Sequence, residues 1–301
     1  MSLIIIYGMG FPIYWFNMNN ILYLCLGGGN FVLQARFSIF SAFRHRPGDQ
    51  REVAFHVYTD TPEKFEDLPV HVERIDQKTI DRWLAGQGYV PRAKIALLEE
   101  ALRQLDGPCI LVDTDTYFTR WPGVLFDRIG PGRSIMHVRE GLLRNWGLIE
   151  LARFVEEHPV QTVDGKTWTL SSEEVTWNSG VVGLHPADQA LCHDALALSD
   201  HFWQKTRVWI AEQYALSVVL SRKTKRREAV DVVNHYLMTI LKDAFDRMLP
   251  AIMETTATLP LEQRARELWK YRPVLPLSLR VKYYAKMYAK RMGLKRGLSR
   301  R

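Results

Sequence analysis

The chain has 301 residues, of which 47% are hydrophobic and 24% charged, and these proportions exclude a disordered or fibrous protein. Its three cysteines are scattered, with no Cys-x-x-Cys pair and no Cys/His cluster, so the sequence favours a reducing cytoplasm over a disulfide or zinc framework. The net charge is +7, but +11 of it follows Leu268, which leaves −4 for residues 1–267 (7 − 11). The basic character therefore belongs to the C-terminus and does not predict that the folded part binds nucleic acid.

The first seventeen residues are partly apolar, but they are too short and too rich in glycine to span a bilayer. They also lack the basic start and the cleavage site of a signal peptide. Met18 directly precedes a predicted strand, so our hypothesis is that residues 1–17 are an over-extended translation start. A shallow membrane anchor is the alternative.

The first half of the chain alternates strands and helices. An apolar strand at 21–26 runs into a glycine turn at 27–30, and a helical pattern follows through Phe43. Further strands are predicted at 53–58 and 70–75. A helix that begins at Pro91 then leads into a buried strand at 109–112. This order predicts an α/β fold with a mixed, mainly parallel sheet flanked by helices.

The second half continues the same mixture. A hairpin is predicted around Asp164-Gly165, and a strand at 180–184 follows a turn at 178–180. Helical patterns cover 187–203 and 209–220, and they are followed by a strand at 229–233 and a helix from Tyr236. We interpret 18–260 as one domain and 261–301 as a basic, amphipathic helical tail.

Two acidic side chains come directly after the buried strand at 109–112. Asp113 and Asp115 are two positions apart, so in extended backbone both point to the same side, at the sheet edge where open α/β folds bind ligands. Close carboxylates repel each other unless a cation lies nearby. Mg²⁺ or Mn²⁺ would accept such oxygen ligands and leave positions for phosphate oxygens, so the pair predicts a divalent metal site.

These residues resemble a known family. Val112-Asp113-Thr114-Asp115 is similar to the DxD motif of GT-A glycosyltransferases, which transfer sugars from nucleotide-diphosphate donors. Three later segments fall in the order typical of glycosyltransferase family 8, whose members include glycogenin and lipopolysaccharide galactosyltransferases. They are Trp177–Val182, Glu212–Leu216 and Val233–Tyr236. The similarity covers residues 20–240, although Leu237–Lys242 departs from the family's pattern.

The resemblance implies roles for particular residues. His235 would complete a metal site with Asp113 and Asp115, and Asn178 would face the donor sugar. Glu212 and Gln213 are candidates for contact with the sugar or the acceptor.

Other candidates lie towards the diphosphate and the nucleotide base. Lys94 is expected near the diphosphate, with Arg92 as its rival, and Lys242 is a candidate displaced phosphate-binding lysine. At the nucleotide end we expect Asp60 at the base, with Gly28 and Asn30 in a turn that lets the backbone approach.

The expected activity is metal-dependent hexosyl transfer from a nucleotide-diphospho-sugar, a UDP-sugar by resemblance, to a hydroxyl of a carbohydrate or lipid-linked glycan. In the tail, Lys282, Lys286 and Lys290 form one helical face, which indicates peripheral binding to an anionic membrane on its cytoplasmic side, in cell-envelope glycan synthesis. Two alternatives remain open. One is a phosphatase of the haloacid dehalogenase type, although Tyr117 stands where that motif has Thr or Val. The other is a non-catalytic protein that binds membrane or nucleic acid through its tail.

Overall fold

The computed structural model describes residues 18–48, 53–161, 165–236 and 239–274, with isolated positions beyond. The strands are β1 (Asn19–Cys25), β2 (Val53–Thr59), β3 (His71–Arg74), β4 (Cys109–Val112), β5 (Thr116–Phe118), β6 (Arg133–Leu142), β7 (Val160–Gln161), β8 (Thr167–Trp168), β9 (Val175–Leu184), β10 (Lys225–Glu228) and β11 (Val233–His235). The helices are α1 (Asn30–Phe43), α2 (Gln77–Leu84), α3 (Arg92–Gln104), α4 (Ile149–Glu157), α5 (Leu191–Thr206), α6 (Ala211–Lys223), α7 (Thr239–Thr255) and α8 (Leu261–Trp269).

A seven-stranded mixed sheet forms the centre, in the order β10-β6-β9-β4-β1-β2-β3. Pairing is parallel except where β9 lies antiparallel to both β4 and β6. A separate two-stranded ribbon pairs β11 with β5. The carboxyl ends of β1 and β4 therefore meet at one edge of the sheet, and the ribbon brings the end of β11 to the acidic turn after β4.

Helices cover both faces of this sheet, which explains why β4 is apolar throughout. On one face of the sheet, Leu111 packs with α3, α5 and α6. On the other face, Ile110 and Val112 pack with α1, α7 and α8. The predicted α/β class and the mainly parallel, helix-flanked sheet are thereby confirmed. No helix in the described part of the chain is long and apolar enough to cross a membrane.

Two local predictions were wrong. Most of the predicted strand at 229–233 is a turn between β10 and β11, and only Val233 belongs to a strand. The predicted turn at 178–180 lies inside β9, where the pairing with β6 shifts register. In the predicted hairpin, Gln161 pairs with Thr167, and Asp164 of its turn lies outside the described residues.

The domain boundary at 260 stays a prediction. Helix α8, which follows it, packs against α1 and buries Ala265 and Leu268. The lysine face at Lys282, Lys286 and Lys290 lies outside the described residues, as does the segment 1–17.

Candidate metal and nucleotide site

The two aspartates are held in a fixed turn after β4. The Asp113 backbone N–H donates to the Gly180 carbonyl at 2.9 Å, which continues the pairing of β4 with β9. The Thr116 hydroxyl donates to the Asp113 carbonyl at 2.8 Å, and the Tyr236 N–H donates to the Asp115 carbonyl at 3.2 Å. Neighbouring strands thus set the position of both carboxylates.

The ribbon brings His235 to this turn from 120 positions further along the chain. Its Nε2 lies 3.1 Å from Asp115 Oδ1 and 3.9 Å from Asp113 Oδ2. One ligand atom from each of the three residues lies within 4.8 Å of the others. In the region that the structure describes, this is the one group of three or more such side chains.

The hydrogen bonds of His235 define which nitrogen faces the carboxylates. Its Nδ1 lies 3.0 Å from Asn178 Oδ1, and the same oxygen accepts from the Gly180 N–H at 3.0 Å. Asn178 Oδ1 is therefore an acceptor, and Nδ1 carries the proton in the neutral ring. The Nε2 lone pair then faces Asp113 and Asp115, the orientation of a metal-ligating histidine.

This donor set fits a hard or borderline divalent cation. Neighbouring ligands of an octahedral ion at about 2.1 Å lie about 3 Å apart, close to the separations measured here. Two carboxylate oxygens and one imidazole nitrogen suit Mn²⁺ or Mg²⁺ and leave further positions for phosphate or water oxygens. Asp113, Asp115 and His235 would hold the ion.

Gly180 makes the approach of His235 possible. A Cβ built on this glycine would lie 2.1 Å from His235 Nδ1 and 2.9 Å from Asn178 Oδ1. No real side chain tolerates such contacts, so glycine is required here for close approach.

Two lysines surround the acidic pair. Lys94 Nζ lies 2.8 Å from Asp113 Oδ1 and 3.4 Å from Glu212 Oε1, and Lys242 forms an ion pair with Asp115. Burial disfavours the charged form of Lys94, but Asp113 and Glu212 outweigh it and raise its pKa above the usual range. Burial likewise opposes ionisation of Asp115, yet His235 and Lys242 hold the pKa of this carboxyl well below its usual range.

The rival of Lys94 faces elsewhere. Arg92 makes two hydrogen bonds to Asp200, at 2.7 and 3.1 Å, and also donates to the Trp83 carbonyl. Residues two apart on a helix point in widely different directions, so of these two side chains it is Lys94 that reaches the acidic pair.

Further polar side chains, on β9 and α6, lie next to the metal-ligand residues. Glu212 is buried, accepts from the Ser179 hydroxyl at 3.1 Å, and has its pKa raised by burial. Gln213 Nε2 donates to Glu140 at 3.0 Å, and Asn178 Nδ2 donates to the same carboxylate at 3.4 Å. Asn178 thus contacts the metal-ligand group directly, Glu212 connects to it through Lys94, and Gln213 connects to it through Glu140 and Asn178.

A cavity of about 240 Å³ opens beside the acidic pair. Its polar wall carries Lys94, Asp113, Asp115 and Lys242, and its apolar wall carries Leu24, Leu26, Phe31 and Val90. A polar end next to an apolar slot suits a ligand that combines phosphate with a flat ring.

The glycine turn and Asp60 meet near this cavity, at the ends of β1 and β2. Gly27, Gly28 and Gly29 all have positive φ, and the Gly27 N–H donates to Asp60 Oδ2 at 3.0 Å. Asp60 Oδ1 is buried without a hydrogen-bond partner among the described residues. Asn30 is exposed at the start of α1, and its neighbour Phe31 lines the cavity.

Sequence reasoning missed three residues around the site. Glu140 joins Asn178 to Gln213, Gln34 accepts from Thr114 at 3.1 Å and donates to Asp246, and buried His137 lies edge-on to His235. Glu140 lies near the carboxyl end of β6, so a charged residue close to a strand end was an available signal. Gln34 gave none, because its partners lie 80 and 212 positions away.

No known family model matches this chain, and no curated protein is significantly similar to it in sequence. Its function is therefore inferred from the arrangement of these side chains.

Proposed function

We propose that this protein is a metal-dependent glycosyltransferase of the GT-A type, which transfers a hexose from a nucleotide-diphospho-sugar to an acceptor hydroxyl. The observation that carries the proposal is the convergence of Asp113, Asp115 and His235 beside a cavity with two lysines on its wall. A mixed sheet with one antiparallel strand next to the ligand-binding edge is compatible with the GT-A fold. The four sequence segments that resemble family 8, in the same order along the chain, support the same class of enzyme.

The proposed donor lies across the cavity with its diphosphate at the metal ligands. Asp113, Asp115 and His235 would hold Mn²⁺ or Mg²⁺, which would supply Lewis-acid stabilisation to the departing nucleoside diphosphate. Lys94 and Lys242, on the wall of the cavity, are placed to bind the phosphate oxygens. The nucleoside occupies the apolar slot, where the glycine turn permits close backbone approach.

The sugar end of the donor lies towards Asn178, Glu212 and Gln213. These side chains offer amide and carboxyl groups that suit sugar hydroxyls, and they continue from Lys94 away from the nucleotide cavity. An acceptor hydroxyl attacks the anomeric carbon while the cations of the site stabilise the leaving group. We further propose that the basic tail holds the enzyme at an anionic membrane surface near lipid-linked acceptors.

The direct test is product formation from a panel of UDP-, GDP- and CMP-sugars, with Mn²⁺ or with chelator. Free sugar, or sugar joined to an added acceptor, should form with at least one donor and only with metal. Asp115→Asn should reduce this activity by a factor of about 100 or more, because it removes a metal ligand. The matched control is Asp81→Asn on α2, an exposed helix position that should retain wild-type activity.

Two results would reject the proposal. One is full sugar release by Asp115→Asn or in the presence of chelator. The other is metal-dependent release of inorganic phosphate from an aryl phosphate, without sugar release from any donor, because that outcome identifies the phosphatase alternative.

A further inference from the structure

The segment just before helix α6, which contains Glu212, carries an exposed indole. Trp209 is 64% exposed, whereas Val208 and Ile210 on either side of it are buried. Singly exposed apolar side chains are common, but an exposed indole beside a second tryptophan forms an aromatic patch of the kind that binds ligands. Trp146 lies beside it, with ring centroids 6.2 Å apart and ring planes inclined by 55°.

Each tryptophan is held by a hydrogen bond next to the proposed site, Trp209 through its backbone carbonyl and Trp146 through its indole N–H. The Tyr89 hydroxyl donates to the Trp209 carbonyl at 2.8 Å and accepts from the Glu212 N–H at 3.1 Å. Trp146 Nε1 donates at 2.7 Å to the hydroxyl of Thr176, two positions before Asn178 on β9. The pair is thus preorganised and needs little ordering when a ligand binds.

The position of the two indoles relative to the nucleotide cavity indicates which substrate can reach them. The nucleotide cavity opens on the side of β1 and α1, and Lys94 and Glu212 separate it from the side of β6, β9 and α6. The acceptor hydroxyl must reach the anomeric carbon, so the acceptor occupies the space beyond the donor sugar that the nucleotide leaves free. On that side the buried carboxyl and amide groups of Glu212 and Gln213 lie close to an exposed aromatic face.

This combination has a specific chemical match. A pyranose ring carries an apolar C–H face that packs on an aromatic ring, and its rim of hydroxyls bonds with carboxyl and amide groups. A lipid chain would pack on the aromatic face alone and would make no use of the carboxyl and amide groups beside it. We propose that Trp209, supported by Trp146, is the stacking platform for a pyranose unit of the acceptor. This rests on the proposed function and specifies that the acceptor is a carbohydrate.

The test uses the full chain and a panel of disaccharides: lactose, maltose, cellobiose, gentiobiose and chitobiose. Binding is measured by saturation-transfer NMR in the presence of UDP and Mn²⁺. At least one disaccharide should bind the wild type, and Trp209→Ala should weaken that binding about tenfold or more, as truncation of a buried aromatic anchor does. Trp209→Phe, which keeps an aromatic face, should retain most of the affinity and checks that the site is otherwise intact.

The control variant is Met248→Ala, which removes an exposed apolar side chain from α7 and should leave disaccharide binding unchanged. Stabilisation by UDP and Mn²⁺ should be the same in Trp209→Ala as in the wild type. Failure of UDP, GDP and CMP alike to bind the wild type with Mn²⁺ would reject the glycosyltransferase proposal itself. With UDP bound, three results would reject the platform alone: no disaccharide binding, equal binding by Trp209→Ala, or a dimer that this variant converts to monomer.

Discussion

At the scale of single residues, Gly180 determines whether His235 can reach the acidic pair. Gly180→Ala would place a methyl group 2.1 Å from His235 Nδ1, so the imidazole must shift away from Asp113 and Asp115. Changes that displace a metal-ligating histidine typically cost about 10–100-fold in affinity. We expect Gly180→Ala to weaken Mn²⁺ binding by that factor in isothermal titration calorimetry.

Gly48→Ala is the control for that experiment, because a methyl group there meets nothing within 4 Å. It should bind Mn²⁺ as the wild type does. Unchanged Mn²⁺ affinity in Gly180→Ala would mean that His235 is not a ligand.

His56 gives a second prediction at this scale. The Asn20 amide nitrogen donates to backbone carbonyls, so its oxygen accepts from His56 Nε2 at 3.0 Å. Burial, with a smaller contribution from His71, lowers the pKa of His56 from 6.5 to about 4. The folded state therefore resists protonation, and this stability is complete above about pH 6.5 and is lost as the pH falls towards 4.

Between pH 7 and pH 5 the wild type should lose about 1–2 kcal/mol more of its free energy of unfolding than His56→Gln, which cannot titrate there. Urea unfolding at each pH measures both values, and the other histidines cancel in the comparison. Parallel pH profiles for the two proteins would contradict the assignment of His56 as a buried neutral histidine.

Particular residues show what the sequence could predict. Asp113 and Asp115 follow four apolar residues, so their place at the sheet edge was predictable from local pattern. His235 was predicted as a metal ligand from the order of the family-like segments along the chain, and in the structure it lies next to Asp113 and Asp115. The choice between Lys94 and Arg92 was not predictable, because it depends on Asp200, 108 positions from Arg92.

At the scale of elements, long regular segments were predictable and short polar ones were not. The stripe of Ile95, Leu98 and Leu102 identified α3, and all three residues are buried. Strand β10 consists of four charged residues, Lys225–Glu228, and only its pairing with β6 makes it a strand. Residues 229–232 instead form a turn, in which Ala229 and Val232 are buried and Val230 is exposed, and strand pairing begins only at Val233.

Helix α8 supplies a prediction at this scale. Leu268 is 1% exposed in the cluster that α8 shares with α1, so Leu268→Ala should lower the free energy of unfolding by about 2–5 kcal/mol. Leu279→Ala, at a position 45% exposed, should change it by less than about 0.5 kcal/mol. Urea denaturation of both variants measures the difference. Equal stabilities would mean that α8 does not contribute to the core.

At the scale of the whole molecule, charge is divided between body and tail. A chain that ends at Val274 loses nine basic residues, which changes the net charge from +7 to −2 (7 − 9). Each basic residue near an anionic membrane contributes about 1 kcal/mol. The full chain should therefore float with phosphatidylglycerol vesicles at low salt and not with phosphatidylcholine vesicles, and the shortened chain should float with neither.

The shortened chain should keep its response to UDP and Mn²⁺, since the metal and nucleotide residues all lie before Val274. Equal flotation of both chains would contradict a role for the tail in membrane binding.

The most direct measurement is electron paramagnetic resonance of Mn²⁺ added to the full chain. If Asp113, Asp115 and His235 hold one cation, one Mn²⁺ should bind per chain, with a spin-echo modulation from a directly bound imidazole nitrogen. His235→Ala should remove that modulation, and His193→Ala, at an exposed histidine, should keep it. Absence of bound Mn²⁺, or a nitrogen signal that persists in His235→Ala, would contradict the metal site.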